Sequence, residues 1–315
     1  MADVAYVPGL PGRDRRALLG YAMVSGAALL FAVNGTVSKV VLESGISSLE
    51  LTQVRATGAF LGFALALAAF HRPSLRVRPR ELVFLAIFGV AGVAMVQWLY
   101  FVAIHRLPIG IALLLEYLAP ILIALWAWLV LHEPVRRRIW AALLLALAGL
   151  SLVVEVWSGI SLDGLGVAAA LAAAVAYAIY VLMAERAVGR RDPASLLCFG
   201  FGFAALFWAV VQPPWRFPAA RLDDDVSLLG RLAGWSAPVW LLMLFVVVVG
   251  TMITFLLVTA ALRHISATRV AIVAMLEPVV AGIVAFAWLG ESFGALQLVG
   301  GGIVLAGIVL AQTAR

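Results

Sequence analysis

Apolar stretches of about twenty residues, each long enough to cross a hydrocarbon core of about 30 Å as a helix, recur along this chain from one end to the other. They cover roughly 17–41, 49–70, 82–104, 109–131, 139–155, 163–184, 194–212, 238–262, 268–289 and 294–312. Lipid offers no water to satisfy a backbone N–H or C=O, so segments of this kind span the membrane as helices. Composition agrees, because hydrophobic residues make up 65% of the 315 and charged ones 12%, too few polar groups to cover a soluble surface. The expected fold class is an all-α integral membrane protein of ten transmembrane helices with the lipid bilayer as its solvent.

A duplication organises the ten spans. The segment from Ala103, AIHRLPIGIALLLEYLAPILIALWAWLVLHEP, and the segment from Ala261, ALRHISATRVAIVAMLEPVVAGIVAFAWLGES, carry one pattern at a spacing of 158 residues. At that spacing Pro120 corresponds to Pro278, Leu131 to Leu289, Glu133 to Glu291 and Gly149 to Gly307. The expected domains are a cytoplasmic N-terminal segment 1–16 and two five-helix repeats, 17–156 and 157–315. Five is odd, so the second repeat enters the bilayer upside down. Inverted repeats around a central cavity are a transporter architecture, since exchanging the conformations of the halves turns a state open to one side into a state open to the other. The repeat is clear over helices 3–5 and 8–10 and weak over helices 1–2 and 6–7.

The net charge of +6 would suggest a nucleic-acid partner in a soluble protein. Here the basic residues sit between the spans and report orientation instead. Sixteen arginines fall on the side of the N-terminus, among them Arg72, Arg76, Arg78, Arg80 and Arg136 to Arg138, against Arg106, Arg216, Arg221 and Arg231 on the other. The asymmetry predicts that both termini are cytoplasmic. Arg13, Arg15 and Arg16 before an apolar run imitate a secretory leader, but the run continues past Asn34 to Val41, and its removal would leave nine spans. The long outer loop 213–237 carries Trp215 and Trp235, which suit a segment resting at the interface. Cys198 is the one cysteine, so there is no disulfide framework and no thiolate metal site.

The pattern of a small-residue helix, a midspan proline, an apolar run ending in Leu-x-Glu and a Gly-rich last helix is very similar to the EamA-type repeat of the drug/metabolite transporter superfamily. It stands as Pro120…Leu131-His132-Glu133…Gly149 and as Pro278…Leu289-Gly290-Glu291…Gly307. Asn34-Gly35…Lys39 in helix 1, followed by Ile46-Ser47…Arg55, resembles the opening of the same repeat. Phe31-Ala32-Val33 departs from it, standing where many members carry Trp-Gly before the Asn. The resemblance implies two inverted bundles around a cavity lined mainly by helices 1, 3, 4, 6, 8 and 9, and a place among ten-helix bacterial exporters of amino acids and related metabolites.

Charges near a span centre cost about 2.5–3.5 kcal/mol on insertion scales, so Glu116 and Glu277 need an explanation. Each lies at a proline that frees a carbonyl four residues earlier, that of Glu116 for Pro120 and that of Ala274 for Pro278. Uncovered backbone at matching depths in two halves is how midplane transporter sites are built. The competing reading is a pair of inherited kinks with glutamates that hold helices together. Arg55 could receive a carboxylate bidentately, although its place six residues into helix 2 favours a local ion pair or snorkelling. Lys39 and Glu43, one turn apart, suggest a pair at the cavity lip. Asn34 with Ser38, Gln97 with Tyr100, Tyr177 with Tyr180, and Thr251 with Thr254 share helix faces and are candidate cavity liners or interhelical ties. Trp98 is a further candidate that points about 100° away from Gln97. Small residues in helices 5 and 10, including Gly149, Gly300 and Gly307, indicate close backbone packing. Glu133 and Glu291, at matching span ends, are expected to cap or pair at the interface.

His71, His105, His132 and His264 lie in or beside loops without metal spacing, and there is no Walker loop and no nucleophile–base motif. No cofactor, no metal, no nucleic acid and no enzymatic role are expected. Sugar-nucleotide carriage would call for more midspan Lys or Arg than Lys39 and Arg55. The chain reads as a secondary carrier of a bacterial inner membrane that exports small metabolites, foremost amino acids, by alternating access, works as a monomer and uses a coupling proton. An exporter of small drugs or cations and a passive channel-like facilitator are the alternatives.

Overall fold

The computed structural model describes residues 11–104, 106–107, 109–132, 134–154, 163–290 and 294–313. Glu133, Glu291, His105 and Arg315 lie outside them. Ten helical spans follow the apolar stretches in order. Helix 1 is Pro11–Glu43, helix 2 Ser48–Phe70, helix 5 Arg137–Val154, helix 6 Gly164–Val188, helix 7 Pro193–Val211 and helix 10 Ala295–Thr313. Among the described residues seven spans are long and apolar enough to cross a membrane unaided, while Leu114–Leu129 and Ala295–Ala311 form shorter apolar helices. Helix 1 begins before the expected 17 and has 33 residues. At 1.5 Å per residue that is about 50 Å, so its arginine-bearing first turns extend past the hydrocarbon.

The other four spans are interrupted, and in pairs. Helix 3 runs Pro79–Ile87, widens into a π turn over Phe88–Ala94 and continues as Met95–Ile104. Helix 8 does the same through Val239–Val247, Val248–Ile253 and Thr254–Ala261. Helix 4 breaks between Ile109–Glu116 and Ala119–Leu129, and helix 9 breaks at Met275 between Ala267–Ala274 and Leu276–Val284. The repeat spacing carries Tyr117, the first residue of one break, onto Met275. A proline removes the donor and crowds the turn that precedes it, which is why each break lies just before Pro120 or Pro278. Both broken helices also end in left-handed backbone at corresponding residues, His132 with φ 53° and Gly290 with φ 76°.

Packing follows a twofold relation between the repeats. Helix 5 crosses helix 10 with backbones in contact: a side chain on Gly149 would lie 2.6 Å from the Val304 nitrogen, and one on Gly307 would lie 2.9 Å from the Ala142 oxygen. These are one contact seen twice, since Gly149 corresponds to Gly307 and Ala146 to Val304, and the two helices are antiparallel. Helices 2 and 7 pair in the same manner, with Phe63 stacked on Phe201 at 6.2 Å. Helices 1 and 6 are exchanged between the repeats, helix 1 packing on helices 8 and 9 and helix 6 on helices 3 and 4. The result is two groups, helices 3, 4 and 6 against helices 8, 9 and 1, flanked by the 2–7 and 5–10 pairs.

Successive antiparallel spans put both chain ends on one face, called proximal here. Its loops are laced together: Arg191 bonds Glu81 and the Arg76 carbonyl, and Arg263 bonds the Val188 and Arg191 carbonyls. On the distal face the loop after helix 7 forms short 3₁₀ turns and a hairpin of Asp225–Ser227 with Ser236–Pro238. Arg221 fastens that loop to the Ser44 carbonyl, and Trp288 of helix 9 holds it by donating to the Leu228 carbonyl. Trp215 and Trp235 are 83% and 71% exposed, as befits aromatic side chains at an interface.

Candidate functional site

The two proline breaks meet at the centre of the molecule. Tyr117, in the gap of helix 4, donates its hydroxyl to Glu277 Oε2 at 3.0 Å and lies 3.3 Å from the Ala274 carbonyl oxygen. That carbonyl is the one Pro278 deprives of its helical donor. A single tyrosine therefore covers the backbone opened in one repeat with a side chain from the break in the other, and it carries the Glu277 carboxyl with it. Glu277 itself is half-buried, as is Glu116. Among the described residues no hydrogen bond engages the Glu116 carboxyl.

Charges gather around this meeting point. Glu116 and Glu277 act on one another electrostatically, and Tyr100 and Tyr177 lie within the field of both. Arg55 joins them from helix 2. The position of Arg55 in its span favours an ion pair or snorkelling; the structure instead buries it to 9% exposure and, among the described residues, forms no ion pair within 4.0 Å of it. Its Nε donates to Thr251 Oγ1 at 3.0 Å. The π turn of helix 8 makes this possible, because the widened turn leaves a carbonyl that Thr251 reaches at Val246 O, 2.8 Å away. The hydroxyl donates there and so presents its lone pair to the guanidinium.

The same π-turn chemistry engages other polar groups on the shared faces. Thr254 donates to the Val249 carbonyl at 2.6 Å, and Gln97 donates to the Val93 carbonyl at 3.3 Å in the matching turn of helix 3. Both threonines are fully buried; Thr254 acts inside helix 8, while Thr251 also ties that helix to helix 2. Gln97 keeps its carbonyl oxygen buried without a partner among the described residues, as do the Asn34 amide oxygen and the Ser38 hydroxyl. Asn34 is wedged against the other π turn: a side chain on Gly250 would fall 1.8 Å from Asn34 Oδ1. A side chain on Gly92, which corresponds to Gly250, would lie 3.1 Å from Tyr180 Cα. Asn34 of helix 1 and Tyr180 of helix 6 thus occupy equivalent places against the two π turns.

Closure is uneven across the molecule. On the proximal side Tyr180 shares a hydrogen bond of 2.9 Å with Thr259 and packs edge-on to Phe255, which also meets Phe31 and Phe201. Glu185 accepts from the Ala267 N–H at 2.7 Å, joining the end of helix 6 to the start of helix 9. A recess of about 170 Å³ beside this seam is lined by Arg136, Glu185, Ser266 and Arg269 among others, and neither Glu116 nor Glu277 lines it. On the distal side helices 8 and 9 pack chiefly on helix 1 rather than on helices 3, 4 and 6. Gly35 is exposed with nothing within 4 Å of where a side chain would stand, and Lys39 one turn further is exposed too. Lys39 and Glu43 form no ion pair, since both extend into open space where solvent competes. Among the described residues, hydrogen bonds join the two helix groups on the proximal side, and none joins helices 8 and 9 to helices 3, 4 and 6 on the distal side.

Of the candidate residues, Glu277, Glu116, Tyr100, Tyr177 and Arg55 come together around Tyr117; Thr251 and Thr254 support them from helix 8; Tyr180 belongs to the proximal seal. Tyr177 stands next to it, with the two rings 6.2 Å apart. Trp98 is 38% exposed, turned away from the buried face of Gln97. Tyr117 escapes a sequence reading directed at charges. Its signal was positional, a hydroxyl-bearing residue in an apolar run at the point that the repeat carries onto the helix 9 break.

A family model described as the EamA-like transporter family matches the sequence twice, over residues 18–155 and 164–313. An uncharacterized transporter of Archaeoglobus fulgidus is 28% identical over 290 residues, covering 92% of this chain and 94% of that protein. The threonine/homoserine exporter RhtA of Escherichia coli K12 is 29% identical over 244 residues, covering 77% of this chain and 75% of that one. A solved crystal structure of 18% identity superposes with a TM-score of 0.74 over 95% of this chain and 96% of its own, a likeness of fold alone.

Proposed function

Since the chain belongs to the EamA-like transporter family, we propose that this multi-pass membrane protein exports amino acids across a bacterial inner membrane by alternating access. The rocking units are the two helix groups, 3, 4 and 6 against 8, 9 and 1, each drawn from both repeats, 17–156 and 157–315, with both termini cytoplasmic. The observation that carries the reading is the meeting of the two helix breaks, which brings Glu277 and Glu116 near one another between the helix groups. A carboxyl pair at the midplane suits the ammonium group of an amino acid or a small cation. Resemblance to a threonine/homoserine exporter favours the amino acid. The positive-inside distribution makes the proximal seal cytoplasmic, so the state described faces outward, ready to take a proton in exchange after releasing substrate.

Counterflow in proteoliposomes tests this. Labelled L-threonine is expected to accumulate faster when unlabelled threonine waits inside, which a channel does not support. A panel with a cationic dye and a nucleotide sugar separates the alternatives. Uptake of the dye alone would replace the amino-acid reading with drug export, and threonine flux without acceleration would replace the carrier with a facilitator.

A further inference from the structure

The geometry points to Arg55 as the receptor for the substrate's carboxylate, opposite the glutamates that take its ammonium group, so that the site selects amino acids with a free α-carboxylate over amines and amides. This deepens the proposed function and rests on it. Arg55 uses only Nε on the protein, toward Thr251 at 3.0 Å. Among the described residues its two terminal nitrogens have no hydrogen-bond partner and no carboxylate within 4.0 Å. An arginine exposed to 9% with unengaged donors is costly unless an anion completes it. Glu277 is near enough to act on it electrostatically yet does not close onto it. A fixed cation and a fixed acid that do not pair with each other suit the two ends of a zwitterion.

Rigidity supports recognition. Tethering Nε through Thr251, itself anchored on the Val246 carbonyl at 2.8 Å, orients the guanidinium plane and leaves the remaining donors for a carboxylate. The tether runs from helix 2 to the π turn of helix 8, so a bound carboxylate links the 2–7 pair to the group of helices 8, 9 and 1. A purely structural role for Arg55, by contrast, would end at the Thr251 bond.

The test is counterflow of L-threonine and of L-threoninamide, which keeps the ammonium group and loses the carboxylate charge. Wild-type protein is expected to prefer threonine by about tenfold or more, the scale of a hydrogen bond to a charged group. Arg55→Gln should bring the two compounds within about threefold of each other, mainly by loss of threonine flux. Thr251→Val removes the tether and keeps the charge, and should retain the preference at a lower rate. An unchanged threonine preference in monodisperse Arg55→Gln would overturn the assignment while leaving amino-acid export standing. Wild-type protein that carries no amino acid at all would remove both. Should Arg55→Gln fail to fold, thermal stabilisation of the wild type decides: equal stabilisation by the two compounds overturns the proposal, and stabilisation by threonine alone supports it.

Discussion

At the scale of single residues the centre of the molecule turns on hydroxyls that let charged groups sit in an apolar bundle. Tyr117 engages Glu277 and the Ala274 carbonyl together, and Thr251 does the same for Arg55 and the Val246 carbonyl. Removing the Glu277 carboxyl should have a larger effect than removing its partner. Glu277→Gln is expected to abolish net export while the protein remains monodisperse; if the residue exchanges the coupling proton, counterflow survives and dependence on an imposed pH gradient vanishes. Full export with an unchanged pH profile would exclude either role and shift attention to Glu116 and the Gln97–Tyr100 face. Tyr117→Phe deletes one interhelical hydrogen bond, worth about 0.6 to 1.7 kcal/mol in membranes, so export should fall only about threefold to twentyfold. Gly250→Ala is expected to be worse than its size suggests, because its methyl would collide with the Asn34 amide at 1.8 Å, and thermal unfolding would register the displacement.

Among elements, the spacing of 158 residues reappears as paired defects, which makes stability predictions comparable between halves. In the 5–10 pair, Gly149→Ala places a methyl 2.6 Å from a backbone nitrogen, Gly307→Ala places one 2.9 Å from a backbone oxygen, and Gly302→Ala meets nothing within 4 Å. Overpacking costs about 1–3 kcal/mol, so the expected order of lost thermal stability is Gly149→Ala, then Gly307→Ala, then Gly302→Ala near zero. Equal melting temperatures for all three would show that the helices separate freely. His132 holds the left-handed turn that Gly290 holds in the other repeat. A side chain there costs about 1–2 kcal/mol, so His132→Gly should raise the melting temperature by a few degrees.

For the whole molecule the decisive fact is the contrast between a proximal seam joined by hydrogen bonds and a distal one with none among the described residues. Gly35→Cys is expected to react with a membrane-impermeant thiol reagent added outside intact cells, while native Cys198, 1% exposed, stays silent. Reaction only after permeabilisation would reverse the orientation inferred from the arginines. A short bifunctional thiol cross-linker between Tyr180→Cys and Thr259→Cys, whose wild-type hydroxyls are 2.9 Å apart, should hold the seam shut and stop transport. Labelling of Gly35→Cys should persist in the cross-linked protein. Transport through that form would rule out opening at this seam.

Ten spans, the duplication and the two interrupted helices were legible in the chain because hydrophobic length, proline and fixed spacing act locally: a helix in lipid must satisfy its own backbone wherever its neighbours lie. The proline breaks at Tyr117 and Met275 follow from that rule alone. The partnerships across the bundle were not legible. Arg55, by its depth in helix 2, suits snorkelling, and only the approach of helix 8, with a π turn that no local pattern announces, gives it Thr251. Tyr117 looks like one more aromatic until helix 9 brings the Ala274 carbonyl to it. Which carbonyl a break exposes is a property of sequence; which side chain comes to cover it depends on how two repeats, exchanged at helices 1 and 6, fill the space between them.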